Sequence, residues 1–222
     1  MARSSTGAAS AAARRPAARA PAPADAPAGS PAAWIQAGLH ALAQGGVETV
    51  RVEVLARRLG VTKGSFYWHF ADRRALLLAM VQHWESAGTM DVMSAVEAGG
   101  GSPAERLRRL ISLCFRGGEI DRLESALRRW GSTDDAVRPI LARIDATRID
   151  YVARLLTEHG LPSAVARSRS RLMYLTMIGE FTWTAHGGAP TSRAALLELG
   201  ELLLASPATP ATPARPRRAR RR

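Results

Sequence analysis

Residues 50–84 read VRVEVLARRLGVTKGSFYWHFADRRALLLAMVQHW, and this stretch decides the fold of the chain. It begins with a short helix whose apolar face includes Leu55 and Ala56. Gly60 ends that helix, because glycine adopts positive φ angles at little cost. The hydroxyl of Thr62 is placed to cap the helix that follows. The pattern therefore predicts two short helices joined by a tight turn.

The second helix, residues 63–69, is too short and too polar to be a core element. Phe66 and Phe70 lie four residues apart and can anchor one face of it against a core. Its outward faces are crowded with hydrogen-bond donors and aromatic rings: Lys63, Ser65, Tyr67, Trp68 and His69. We therefore expect this helix to present its polar side to a partner.

A third, longer helix starts at Asp72, which is placed to cap it. Arg73 lies in the first turn of this helix. A cation is unfavourable there, because the N-terminal end of a helix carries partial positive charge. Arg73 therefore predicts an anion supplied from outside the chain.

These residues resemble the DNA-binding segment of the TetR (tetracycline repressor) family. The resemblance is carried by Leu55 and Ala56, by GVTKGSFYWHF at residues 60–70 and by DRRAL at residues 72–76. It is close over about the first quarter of the folded region and rests elsewhere on length and helical character. One position departs from the family: Arg51 stands where Ser or Thr usually caps the first helix of the motif.

The resemblance implies an all-α chain with two parts. An N-terminal three-helix DNA-binding domain contains the helix-turn-helix, and a larger C-terminal helical domain serves ligand binding and dimerisation. It also implies a repressor that binds a palindromic operator in double-stranded DNA as a homodimer. A small-molecule effector would release it, with the long helix after Asp72 joining the two domains.

A recognition helix must reach base edges in the major groove and be held there by phosphate contacts. Gly64 permits close approach to DNA, and Lys63 can donate to guanine or to phosphate. Tyr67 and His69 are expected to donate to phosphate, although these side chains could instead cover the small domain's core. The full set expected to contact DNA is Arg51, Thr62, Lys63, Gly64, Ser65, Tyr67, Trp68, His69 and Arg73.

Charge is concentrated at the two ends of the chain. Of the net charge of +12 over 222 residues, +9 belongs to residues 1–30 and 206–222, both rich in Arg, Ala and Pro. We predict disordered tails at residues 1–29 and 206–222. Either tail could be solvated only, or could add non-specific DNA affinity.

The remaining residues divide into a DNA-binding domain at 30–75 and an effector and dimerisation domain at 76–205. In the first, Ser30 and Pro31 begin a helix that Gly45 and Gly46 end. In the second, the helix from Asp72 ends near residue 88 or residue 98. Further helices are expected at 103–116, 120–130, 133–159, 163–186 and 191–205.

The last two helices carry the pattern expected of a homodimer interface. Leu172, Leu175 and Gly179 lie on one face of the first, and the second is richer in leucine than a surface helix requires. The alternative is that the final helix packs only within its own subunit. We favour the interface, because a monomer would make few contacts with a specific site.

An effector pocket is expected among the helices of residues 103–186. The candidate lining residues are Phe115, Trp130, Tyr151, Met173, Met177, Glu180, Phe181 and Trp183. Except for Glu180, each is also compatible with an ordinary core position. The scarcity of charge on these faces favours an apolar or aromatic ligand.

Other classes of protein fit the sequence poorly. It has no HExxH, GxSxG, CxxC or phosphate-binding glycine loop, so we expect no enzyme, cofactor or metal. No apolar run approaches the ~20 residues of a spanning helix, and the single cysteine, Cys114, excludes an intrachain disulfide. The expected location is the bacterial cytoplasm, associated with the nucleoid. The main alternative function is a ligand-independent architectural DNA-binding protein that uses its Arg-rich tails.

Overall fold

The computed structural model describes residues 27–115 and 118–206, which form ten α-helices and no strand. The helices are α1 Pro31–Gly45, α2 Val52–Leu59, α3 Lys63–Tyr67, α4 Arg73–Glu85, α5 Asp91–Ala98, α6 Pro103–Cys114, α7 Glu119–Thr133, α8 Arg138–Glu158, α9 Ser163–Ala185 and α10 Arg193–Leu204. The all-α prediction is confirmed. Apart from residues 27–29 and 206, the expected tails lie outside the described residues.

Helices α1 to α4 surround a core formed by the side chains that the sequence marked as apolar. Ser30 caps α1 by accepting a hydrogen bond from the Ala33 N–H, and Pro31 occupies its first turn. Trp34 of α1 is fully buried and meets Phe66 of α3 edge to face, with ring centroids 5.2 Å apart. This packing fixes the orientation of the short α3, which could not hold its conformation alone.

The helix that leaves this unit is continuous from Arg73 to Ala98, the longer of the two expected lengths. This helix contains one π turn, at Ser86–Met90 between α4 and α5, where the Asp91 N–H donates to the Ser86 carbonyl. A single extra residue in a helical turn of this kind commonly marks a functional position.

The C-terminal part is built on a second core between α5, α6, α8, α9 and α10. Its fully buried members include Leu107, Leu155 and Leu156. Ser102 and Glu105 form a reciprocal capping box at the start of α6, directly after the glycine run at residues 99–101. Within the described residues, no helix is both long and apolar enough to cross a membrane.

Two expected boundaries were wrong. Helix α7 continues through Gly131 to Thr133 instead of ending at residue 130. Gly131 lies against Leu141, where a larger side chain would clash, so this glycine serves close packing rather than a helix end. Helix α8 begins at Arg138 rather than residue 133, with Pro139 in its first turn. The core of the DNA-binding unit also extends into α7 through Leu127 and Trp130.

Candidate nucleic-acid interface

The turn between α2 and α3 has the geometry that the sequence predicts. Gly60 adopts a left-handed conformation with φ 69°, and the Val61 N–H donates to the Ala56 carbonyl over 3.0 Å. Leu55 and Ala56 are buried at the contact between the helices. Because Ala56 is small, α3 can approach α2 closely and keep a fixed angle to it.

Helix α3 divides into a buried and an exposed side. Phe66 is fully buried, and Phe70 packs beside it with ring centroids 5.4 Å apart. On the other side, Tyr67 is 59% exposed and Trp68 is 86% exposed. The other expected DNA-contacting residues that lie exposed on this side are Thr62, Lys63, Gly64 and His69.

The position of Ser65 was not anticipated, since this side chain is only half exposed. Gly29, just before α1, lies against it: a β-carbon at Gly29 would come within 2.9 Å of the Ser65 hydroxyl oxygen. The described residues just before α1 therefore lie beside α3.

Lys63, the only lysine in the chain, is held by an ion pair on the surface. Its Nζ donates to Glu53 Oε1 of α2 over 2.5 Å, and both side chains are more than half exposed. The hydrogen bond from Lys63 lowers the pKa of Glu53, and the same bond raises the pKa of Lys63. Exposed pairs of this kind exchange readily for another partner, so Lys63 remains available to an anion.

Two predictions about helix starts need correction. Thr62 stands at the cap position of α3 with extended backbone angles, but its side chain makes no capping hydrogen bond. Arg73 does not require an outside anion, because its guanidinium donates to the carbonyl oxygens of Val50 (2.6 Å) and Val47 (2.5 Å). Asp72 caps α4 as expected, by accepting from the Ala75 N–H over 2.7 Å.

Arg51 is exposed before α2 and offers no side-chain cap to that helix. Its Nε donates to the Glu48 carbonyl over 3.2 Å. The guanidinium is thus oriented by the backbone that precedes α2.

The expected effector residues do not line one cavity. Trp130 packs into the core of the DNA-binding unit, and Tyr151 and Met173 belong to the second core. Glu180 accepts hydrogen bonds from the backbone and hydroxyl of Thr191, so it closes the loop between α9 and α10. Trp183 is 61% exposed. The candidates are therefore divided between the two cores, a loop contact and the surface, and their role in binding an effector stays a prediction.

Three of the candidates do lie together, between α6 and α9. Met177 and Phe181 form a small buried cluster with Tyr174, and Phe115 packs against it. The rings of Phe115 and Phe181 are 6.4 Å apart.

A buried ionic network beside this cluster was missed by sequence reasoning. Glu124 of α7, 2% exposed, accepts from Arg128 Nη2 over 2.6 Å and from Arg148 Nη1 over 3.0 Å. Arg128 also donates to Asp145 of α8 and to the Tyr174 hydroxyl of α9. The signal available in the sequence was the helical spacing of Glu124 and Arg128 beside apolar core positions.

Arg148 connects this network to the π turn. Its Nε donates to the Thr89 hydroxyl over 3.0 Å and its Nη2 to the Gly88 carbonyl over 3.1 Å. Its guanidinium also lies over the Trp84 ring of α4, 5.8 Å from the centroid. Burial alone would lower the pKa of Arg148, but the adjacent Glu124 carboxylate keeps it raised, so the side chain stays charged.

These features define an N-terminal helix-turn-helix domain with an exposed polar second helix, joined by a long helix to a larger helical domain. Residues 35–80 match the family model described as bacterial regulatory proteins, tetR family. This domain is therefore similar to the DNA-binding domain of the TetR family. The class A tetracycline repressor from transposon 1721 of Escherichia coli is 44% identical over 48 residues, 22% of this chain and 22% of the repressor.

Solved structures extend the likeness to the whole fold. A transcriptional regulator from Rhodococcus sp. Rha1 superposes with a TM-score of 0.67 at 21% identity, covering 79% of this chain and 94% of that one. FadR from Bacillus subtilis, solved in complex with stearoyl-CoA, gives a TM-score of 0.60 at 18% identity over 78% and 96% of the chains. In the curated relatives that it matches, the chain spans only 22% and 28% of the length.

Proposed function

We propose that this protein is a sequence-specific transcriptional regulator, a repressor that binds a palindromic operator as a homodimer and is released by a small molecule. The observation that carries the proposal is the two-sided α3, with Phe66 fixed in the core and the polar face open to solvent. A DNA partner would place the protein with the bacterial nucleoid in the cytoplasm.

On DNA, the exposed side of α3 would enter the major groove. Of the described atoms, only the Thr62 hydroxyl oxygen, 3.6 Å away, would lie near a β-carbon added at Gly64, so α3 can approach the duplex closely. Lys63 would leave Glu53 for a base or phosphate, and Tyr67 and His69 would donate to phosphate oxygens. Arg73 would act indirectly, by securing the start of α4, rather than as the main phosphate contact.

Dimerisation would use the last two helices. Leu172, Leu175 and Trp183 of α9 are each more than half exposed, and Leu202 of α10 is 65% exposed. The three α9 side chains and Gly179 recur at three- and four-residue spacing, so they form an apolar stripe on the exposed side of α9. A stripe of this kind is typical of an interface between copies.

Release by an effector requires a route from the C-terminal domain to α3. The continuous helix from α4 to α5 supplies that route, and Arg148 holds its π turn. A change around Glu124 would reach the π turn through this one side chain. The stearoyl-CoA in FadR is an example of a small molecule held by a protein of this fold.

The proposal is tested by operator binding of Lys63→Ala and Tyr67→Phe. The operator is first selected from random duplexes, and binding is followed by fluorescence anisotropy at several salt concentrations. Each variant should lose roughly tenfold in affinity, since each removes one DNA contact. Loss of a phosphate contact should also reduce the salt slope by about one.

The matched control is Arg167→Ala, which removes an exposed cation on α9. It should bind the operator like the unaltered protein. Unchanged binding by both α3 variants would overturn the assignment of α3. Equal affinity for every duplex would instead favour the architectural alternative.

A further inference from the structure

The seam between α7 and α9 carries two buried carboxylates. Asp121 and Glu124 lie one helical turn apart on the same face of α7, and each is only 2% exposed. Acidic side chains are rarely buried to this degree unless all their oxygen atoms are satisfied.

Asp121 is satisfied at one oxygen only. Its Oδ2 accepts from the Thr184 hydroxyl of α9 over 2.7 Å, while Oδ1 is buried and accepts no hydrogen bond from the described residues. Loss of solvent at this position raises the pKa of Asp121 above its ordinary value, and the charge of Glu180 adds to this effect. A nearby positive charge would relieve both penalties.

Glu124 repeats the same arrangement. Both of its arginine partners, Arg128 and Arg148, bind the Oε1 atom, and Oε2 is buried with no partner in the described part of the chain. The seam therefore contains two unpartnered carboxylate oxygens, one helical turn apart.

Among the described residues, the charges within the seam do not balance. Arg128 and Arg148 offset Glu124 and Asp145, and an ionised Asp121 leaves one negative charge in excess. Arg122, the next residue to Asp121, is exposed and lowers the pKa of Asp121 less than its burial raises it. One added positive charge would make the buried set neutral.

The apolar neighbours suit an organic cation rather than a hydrated ion. The cluster of Tyr174, Met177 and Phe181 lies on α9 beside the seam, and the ring of Phe115 packs against it. Aromatic faces attract cations, and they also bury the carbon skeleton of a ligand.

We propose that the effector is a small organic cation with N–H donors, such as a protonated amine or an amidinium, whose nitrogen binds Asp121 Oδ1 and Glu124 Oε2. This inference rests on the proposed function and names the ligand class of its effector site. N–H donors are needed because both free oxygens are hydrogen-bond acceptors. The aromatic side chains of this cluster agree with the aromatic ligand expected from the sequence. The two buried carboxylates require, in addition, that this ligand carry a positive charge.

The test measures thermal stabilisation of the full chain by a matched panel. The probes are methylammonium, butylammonium, benzylammonium and benzamidinium, each compared with a neutral alcohol or amide of similar shape and with a carboxylate. At least one N–H cation should raise the melting temperature, and its neutral and anionic analogues should not. Benzyltrimethylammonium, which has no N–H donor, should bind more weakly than benzylammonium.

Asp121→Asn is the decisive variant, because Thr184 Oγ1 is its only side-chain partner among the described residues and the fold should survive the change. The variant should bind the cation at least about tenfold more weakly. Without ligand it should be as stable as the unaltered chain or more so. Glu124→Gln should act in the same direction, and Asp150→Asn, an exposed carboxylate on α8, is the control.

Two results would overturn the inference. One is a panel in which no N–H cation stabilises the chain more than its neutral analogue. The other is an Asp121→Asn variant that is destabilised without ligand and keeps its discrimination between charged and neutral probes. Operator binding is measured separately, so a chain that binds DNA but no cation would refute only this inference.

Discussion

Asp134 joins the DNA-binding unit to the larger domain through several hydrogen bonds at once. It accepts a bidentate pair from Arg74 of α4, a bond from Trp130 Nε1 over 3.0 Å and a backbone bond from the Ala136 N–H. The Arg74 guanidinium is the largest cause that holds the pKa of Asp134 well below its ordinary value. A carboxylate with a depressed pKa stabilises the fold in its ionised form.

We expect Asp134→Asn to lower the free energy of unfolding by about 1–3 kcal/mol at neutral pH, toward the lower figure because solvent screens the partly exposed Arg74. The loss of stability caused by Asp134→Asn should have its full size at pH values above about 3.9, the pKa of aspartate in an unfolded chain. It should shrink at lower pH, as the native Asp134 carboxylate is protonated. Urea unfolding of both proteins at several pH values measures it. Asp135→Asn, whose side chain is 91% exposed, should change little, and a loss that does not depend on pH would contradict the ionic explanation.

For single residues, the sequence correctly predicted the features that depend only on residues nearby in the chain. Gly60, Asp72 and the burial of Phe66 were all expected, because backbone angle, cap and helical face are local properties. The partners of Arg73 were not, since they lie 23 and 26 residues earlier in the chain. An arginine side chain has several N–H donors, which can bond either to an external anion or to distant carbonyl oxygens. Only the folded structure shows which of these acceptors lies within reach.

Among the elements, the π turn between α4 and α5 shows how a distant residue sets local structure. Glycine and proline predicted most helix ends, and Gly88 indicated a possible break here, yet the local sequence did not indicate that the helix continues with one extra residue in this turn. The turn is held by Arg148, about 60 residues later, and by the Trp84 ring beneath it. The candidate effector residues were scattered for the same reason, because helical spacing does not say which helix will cover a given face.

Gly88→Ala tests the packing of this turn. A β-carbon at Gly88 would lie 2.9 Å from the Trp84 ring, so the ring or the turn must move. We expect a loss of about 1–3 kcal/mol in the free energy of unfolding, measured by denaturant titration.

Trp84→Phe serves as the partner in a double-mutant cycle. The smaller ring should relieve part of the clash, so the two losses should not add. Strictly additive losses would mean that the contact between Gly88 and Trp84 does not limit the turn.

For the whole molecule, the two ends of the described chain differ in their position relative to α3, the helix proposed to bind DNA. The described chain begins beside Ser65 of α3, whereas its other end follows α10, which packs on α6 and α9. We expect removal of residues 1–26 to reduce the salt dependence of operator binding more than removal of residues 207–222. The salt dependence is measured by fluorescence anisotropy. If the two truncated proteins show equal salt slopes, the position of the N-terminal end beside α3 does not affect its contribution to DNA binding.

The exposed stripe on α9 has a feature that a solitary subunit does not explain. Gly179 lies within the helix, and no atom of the described residues comes within 4 Å of the position that a β-carbon would take, although alanine would stabilise an exposed helix by roughly 1 kcal/mol. Close approach of a partner helix would account for glycine there, since it is the residue that leaves most room. Leu172 and Leu175 on the same stripe would then be buried in the dimer.

Leu175→Glu should therefore convert the dimer to a monomer that keeps its helical content, because the side chain is 55% exposed within its own subunit. Sedimentation velocity gives the oligomeric state and circular dichroism the fold. Added to the Leu175→Glu monomer, Gly179→Ala should raise the free energy of unfolding by roughly 1 kcal/mol. Made alone, Gly179→Ala should weaken association of the dimer, because the added β-carbon would meet the partner helix. If both variants associate like the unaltered chain, the interface lies elsewhere, and a two-fold operator would need another way of pairing two α3 helices.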